Sequence, residues 1–460
     1  MQRVLGVVVF VALSAGLVSC QGKGIAPSGN AGVPAGAGIA GVATTAQPDL
    51  TSFNIIKNLK EVEGYLTSDE LSGRIAGSPE GKQASDFLVR QFKRLNLQSF
   101  NTEKPFFQPF KAQVLKFFKD PQQVRTASPD LKAFSTQDAN LQNVVGFLPG
   151  ADGILKDEAV IIGAHYDHLG CDDQGGIYRG ADDNASGIAA LLSLAAQFTQ
   201  SSPKPKRTII FIAFDGEEQG LLGSAYYTLH PLWPLDKTAF MINLDTIGRP
   251  VDNKLFVSGS VSSPALKDTL NQENESAGLK LNLSYGEVPG GGDHISFLLS
   301  KVPTYFFFTG AHRDYHKVTD MVDKINFPGL VQVIQLVYCF ARDVSNQSLR
   351  PEFKELPSSA IPPTAPNPNK KRVSLGMMPD FSGSDKGFLI GDVGQNSPAE
   401  KAGMKVGDII VGMDDKTIKN LKDFSDFLNS RNPGDTVKIT YLRGDKRYET
   451  QATFKERMMP

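Results

Sequence analysis

The chain has 460 residues, 40% of them hydrophobic, which is enough for two or three packed domains. Its 48 Lys and Arg against 49 Asp and Glu leave a net charge of −1. That excludes both the basic stripe of a nucleic-acid partner and the acidic excess of a disordered chain.

Residues 1–19 stand apart. Met1-Gln2-Arg3 precedes an apolar run from Val4 to Val18 and then Ser19. A positive start, a short hydrophobic core and small residues before a cleavage point predict a signal peptide, too short for a comfortable membrane span. Leu17-Val18-Ser19-Cys20 resembles the lipobox of bacterial lipoproteins. That resemblance implies lipidation at Cys20, a lipid anchor in the membrane, and a place on the cell envelope facing the periplasm or the exterior. Residues 20–48 are rich in Gly, Ala, Pro and Ser and predict a flexible tether.

A globular domain is predicted over 49–348. Leu59–Leu66 and Gly81–Leu95 have helical spacing, whereas residues 100–136 show no clear period. Residues 143–150 read as a strand ending in a turn, followed by a strand reaching His165. A helix is expected over Asn184–Phe198, with Asp183 and Asn184 at its start where caps are favoured. Strands at 208–214, 239–245, 254–258 and 303–308 alternate with helices near 221–229, 262–277 and 327–344. This order predicts an α/β fold, a doubly wound and mainly parallel sheet with helices on both faces. Residues 349–371 are a Pro-rich linker, and 372–460 form a small β-rich unit.

The acidic residues and histidines gather where strands end. His165 follows Val160-Ile161-Ile162, Glu217 and Glu218 follow the run Ile209–Phe214, and Asp245 follows Phe240-Met241-Ile242. Ligands bind outside the carboxyl ends of such strands, so these residues, with Asp183 and His316, make a metal-site inventory. Zinc accepts neutral imidazole and carboxylate oxygen and leaves a position open for water when catalytic. Adjacent Glu217 and Glu218 cannot both point the same way in an extended segment, so one would ligate and the other face substrate. Asp167 is placed to accept the second N–H of His165. His294, in GGGDHISF, reads as a helix-packing residue, and His168, His230 and His312 receive no role.

The fragments GAHYDHLG, RGADDNASG, IIFIAFDGEEQG, MINLDTIG and DYHKVTD, in this order over roughly 55–345, resemble the di-zinc exopeptidase family of the bacterial leucyl-type aminopeptidases, to which glutamate carboxypeptidase and the transferrin receptor are related. The resemblance implies two Zn2+. His165 and Asp245 would hold one, Glu218 and His316 the other, and Asp183 would bridge them. Glu217 would be the general base in metal-activated water attack, Tyr315 would stabilise the tetrahedral intermediate, and the Asp183–Asn184 peptide would be cis. The implied activity is release of N-terminal residues from peptides. A glutaminyl cyclase-like acyl transfer or a carboxypeptidase on the same fold, or a metal-retaining binding or scaffold protein working through the C-terminal unit, are the alternatives. Thr246 and Gly292 stand where relatives often differ.

The C-terminal unit, through Ser397-Pro398-Ala399, Ala402-Gly403-Met404 and Gly407-Asp408-Ile409-Ile410, resembles a PDZ domain of the bacterial protease type. By that resemblance Ser374-Leu375-Gly376-Met377 would receive a terminal carboxylate, Asn420–Ser430 would line the groove, and a free C-terminal peptide would be the partner.

Overall fold

The computed structural model describes residues 55–115, 136–172, 174–283, 291–355, 373–380, 384, 386–394 and 396–456. The signal peptide, Cys20 and the tether lie outside the described residues. In chain order the strands are β1 (Phe107–Leu115), β2 (Thr136–Leu148), β3 (Ala159–His165), the short pair β4 (Gly170–Cys171) and β5 (Ile177–Tyr178), β6 (Thr208–Phe214), β7 (Thr238–Leu244), β8 (Lys254–Ser258), β9 (Lys280–Asn282) and β10 (Thr304–Phe308). Eight of them form one mixed sheet in the order β1-β2-β6-β3-β7-β10-β8-β9. Its centre, β6-β3-β7-β10, is parallel.

Strands β3, β6 and β7 are buried at every position, so their sequences do not alternate in polarity. One face carries Val160, Ile162, Phe211 and Ile242 against the helices Ile55–Leu66, Gly187–Gln200 and Phe327–Asn346. The other carries Ile161, Ile212, Phe214 and Met241 against Tyr227 and Phe297 of the helices Leu222–Leu229 and His294–Leu299. The register brings the strand ends level, with His165 beside Phe214 and Leu244 beside Phe307. Everything that follows β3, β6, β7 and β10 therefore emerges at one edge.

Three expectations need correction. Within the stretch without a clear period, β1 pairs antiparallel with β2, which begins at Thr136 and not near Asn143. The helix expected from Asn184 begins at Gly187, because Asp183 (φ −109°, ψ 95°) and Asn184 (φ −132°, ψ 45°) are not helical. Asn184 is still cap-like, since its Oδ1 accepts the Gly187 N–H at 3.0 Å. The start of the expected linker is docked. Arg350 donates to the Thr238 carbonyl at 2.7 Å, Lys354 N–H to the Ser262 carbonyl at 2.8 Å, and Phe353 packs against Ile295 and Leu298.

The C-terminal unit has its own core, including Leu375, Phe388, Ile390, Ile410, Phe424 and Ile439. Strands β11 (Val373–Ser374), β12 (Met377–Pro379), β13 (Phe388–Val393), β14 (Ile409–Met413), β15 (Lys416–Thr417), β16 (Thr436–Arg443), β17 (Lys446–Thr453) and β18 (Lys455–Glu456) surround it. The main sheet runs β12-β13-β14-β16-β17, leaving β12 at an edge. The helix Leu421–Asn429 is capped by Asn420 and stacks Phe424 on Phe388 with ring centroids 3.8 Å apart.

Candidate metal centre

Asp183 stands between two groups of donors. Its Oδ1 is 3.3 Å from His165 Nε2, which is also 3.6 Å from Asp245 Oδ1. Its Oδ2 is 2.9 Å from His316 Nε2, which is 3.3 Å from Glu218 Oε2. Glu217 Oε2 lies 4.0 Å from His165 Nε2, on the first side. The six side chains that the resemblance assigns to ligation and base chemistry are thus brought together from strand ends and loops. The Asp183–Asn184 peptide is cis, as the resemblance implies.

Hydrogen bonds hold these side chains in place. The Asn184 amide donates to the Leu244 carbonyl at 2.9 Å and its Oδ1 accepts the Thr246 N–H at 3.3 Å, so the segment carrying Asp183 is stitched to the end of β7. Thr246 Oγ1 donates to Asp245 Oδ1 at 2.9 Å. Asp320 Oδ2 accepts the N–H groups of Asp182 and Asp183 at 2.9 and 3.1 Å. Arg74, buried, donates to the carbonyls of Tyr166 at 2.7 Å, Leu66 at 3.1 Å and Gly180 at 2.8 Å, pinning the ends of β3 and of the 179–183 loop together. His316 has φ of 53°, and the turn Tyr315 N–H to His312 carbonyl, Lys317 N–H to Asp314 carbonyl fixes it there.

Asp167 has a second role beside the expected one. Its carboxylate lies 3.6 Å from His165 Nδ1, and its backbone carbonyl 3.2 Å. The carboxylate also accepts the N–H of Glu217 on Oδ1 at 3.1 Å and that of Glu218 on Oδ2 at 3.3 Å. It fixes the backbone from which the base and a ligand diverge. The Tyr315 ring stacks on His316 with centroids 4.0 Å apart. His294 packs flat on Phe306, centroids 4.4 Å and planes 7° apart, as a core residue. His312 Nε2 is 3.1 Å from Asp182 Oδ2. His168 is fully buried, with Nδ1 2.7 Å from Glu218 Oε1. The GAHYDHLG fragment displays His168, Asp167 and His165 together, but nothing in their spacing shows that the second histidine turns toward Glu218.

The electrostatics favour cations. Burial, reinforced by Glu218, Asp245 and Asp293, pushes the Glu217 carboxyl well above its ordinary range against the opposing pull of His165. Burial also raises Asp245. Burial opposes ionisation of Asp183, yet bonds from His165 and His316 hold it well below the usual carboxylate range. Burial works against protonation of His316, and Glu218 and Asp183 overcome it and raise its imidazole to about 9. Buried carboxylates crowded in this way favour a bound cation. The donor set fits zinc in kind. His165, Asp183 and Asp245 can offer donor atoms within 4.8 Å of one another, as can His168, Asp183 and Glu218. Two donors about 2.1 Å from one tetrahedral ion lie about 3.4 Å apart, close to the 3.3 and 3.6 Å around His165. His165 Nε2 and Asp183 Oδ2 are buried and turned toward the other candidate ligands, as expected of atoms that face a metal.

The sheet and site define the class. Residues 143–341 match the model of peptidase family M28, and residues 374–453 match a PDZ domain. Residues 143–341 thus form an M28 peptidase domain, and a PDZ domain follows it in the chain. It is 29% identical to aminopeptidase YwaD of Bacillus subtilis over 241 residues, 50% of each chain. It is 38% identical to a probable zinc metalloprotease of Pyrenophora teres f. teres over 132 residues, 26% of this chain and 28% of that protein. It therefore spans half or less of the length of these curated relatives. In fold it is similar to an aminopeptidase from Aneurinibacillus sp. strain AM-1, with a TM-score of 0.50 at 18% identity over 67% of this chain and 96% of that one.

Proposed function

We propose that this protein is a two-zinc aminopeptidase that removes N-terminal residues from peptides. The observation that carries it is the division of Asp183, with Oδ1 toward His165 and Asp245 and Oδ2 toward His316 and Glu218. His165 and Asp245 would hold one ion, Glu218 and His316 the other, and Asp183 both. Bound there, two zinc ions would make water a nucleophile near neutral pH and offset charge growing on the substrate carbonyl. Glu217, on the backbone held by Asp167, receives a proton from the attacking water and returns it to the departing amine. Tyr315, whose ring stacks on His316, would donate a hydrogen bond to the oxyanion.

The PDZ domain supports a second point of attachment. Edge strand β12 offers a place for an added strand, and Asp392 of β13 lies 3.5 Å from Lys317 Nζ and 3.8 Å from Arg313 Nε, on the loop bearing His316. Ser374 Oγ accepts the Gly376 N–H at 2.9 Å and shapes the loop proposed to receive a terminal carboxylate. We further propose export and lipid anchoring at Cys20. The test is turnover of amino-acid anilides, blocked peptides and N-terminal glutamine peptides with and without chelator. Chelator-sensitive cleavage of unblocked substrates is expected. Cyclisation alone, cleavage from the carboxyl end alone, or no turnover would each displace the aminopeptidase assignment.

A further inference from the structure

We infer that His168 is a positioning residue that turns Glu218 into a one-oxygen metal ligand, an inference that rests on the two-ion centre proposed above. His168 continues from β3, its N–H donates to the Arg74 carbonyl at 3.3 Å, and its ring is fully buried. Nδ1 is 2.7 Å from Glu218 Oε1, while Glu218 Oε2 is 3.3 Å from His316 Nε2. An ionised carboxylate only accepts, so the proton of this bond sits on His168 Nδ1. One oxygen of Glu218 is thereby occupied, and the other is left facing Asp183 and His316.

Ligation by His168 itself fits less well. Donors sharing one tetrahedral ion lie about 3.4 Å apart. The His168–Glu218 distance of 2.7 Å is shorter than every contact among the proposed ligands, and is that of a hydrogen bond to a charged group. The ring packs directly against Gly180 of the ligand loop. A Cβ at Gly180 would come within 2.5 Å of His168 Cδ2 and 2.1 Å of the Asp183 carbonyl oxygen, so only glycine admits the imidazole beside the ligand loop. Partners that fix a ligating group commonly contribute 10–100-fold in metal affinity.

The test uses the full-length protein, stripped of metal and titrated with zinc against a chelating dye, and separately with cobalt read by its visible absorption. Wild type should take up two ions. H168L should weaken one of them by about 10–100-fold and leave the other unchanged. H168N, which keeps an N–H near the Nδ1 position, should stay within a few-fold of wild type with an unaltered cobalt spectrum. In an E218A background H168L should cause no further loss, because His168 acts through Glu218. Should H168L not fold, H168N decides alone. A tenfold or greater loss in H168N with a changed cobalt spectrum makes His168 a ligand and overturns the positioning role. H168L binding both ions as wild type does also overturns the positioning role, but leaves the two-ion centre standing. Failure of wild type to bind two ions instead removes the centre itself, and the role with it.

Discussion

Asp167→Asn probes the least expected part of the centre. In the protein the two oxygens of Asp167 each accept one backbone N–H, from Glu217 at 3.1 Å and Glu218 at 3.3 Å. Asparagine keeps one oxygen and turns an NH2 group toward the other N–H. One bond to a charged acceptor, about 1.5–3 kcal/mol, is lost, and a buried donor is left unpaired at about 1–3 kcal/mol. Part of this will appear as lower stability. The part that displaces Glu217 and Glu218 from their working positions raises the barrier, and each 1.36 kcal/mol or so is tenfold in rate. About 3–4 kcal/mol reaching the transition state would lower kcat/KM by about 10²–10³-fold. The assay is kcat/KM on a leucyl anilide, with zinc content measured on the same sample. A variant within threefold of wild type at full zinc content would refute the claim that Asp167 holds the base and ligand backbone.

Glu217→Gln should keep zinc content near two while turnover falls about 10²–10⁴-fold, whereas Asp183→Ala should lose metal; elemental analysis beside activity separates them, and an emptied site in Glu217→Gln would end its assignment as base. His294 is held down to about 3 by burial, so below its unfolded value of 6.5 the unfolded chain binds a proton that the folded one does not. Stability is therefore lost as pH falls, by about 2 kcal/mol between pH 6.5 and 5. His294→Phe, which can keep the stack on Phe306, should flatten that part of the slope in denaturant melts of metal-free protein, and identical slopes would count against it. A chain ending at Glu355, which retains docked Arg350 and Phe353, should cleave short anilides as the full protein does. It should lose efficiency mainly on long peptides with a free carboxyl end, by loss of effective concentration. Equal loss on every substrate would make the PDZ domain a structural support.

The strands announce themselves in the sequence. β3, β6 and β7 are covered on both faces, so they had to be continuous apolar runs, and His165, Glu217, Glu218 and Asp245 stand where those runs end. The parallel centre follows from alternation with helices, which puts these ends at one edge whatever the loops do. His316 and Asp183 lie in loops, and resemblance rather than periodicity singled them out. What the fold alone decided is which buried polar atoms meet. His168 finds Glu218 50 positions away, Arg74 finds Tyr166 92 positions away, and Asp320 finds Asp182 138 positions away. Burial on a face is a local, repeated property and leaves a period in the chain. A hydrogen bond between distant loops is a single contact with strict distance and angle, and it leaves none. For that reason the ligand inventory was legible in the sequence, while the groups that aim the ligands emerged only when the loops were placed against one another.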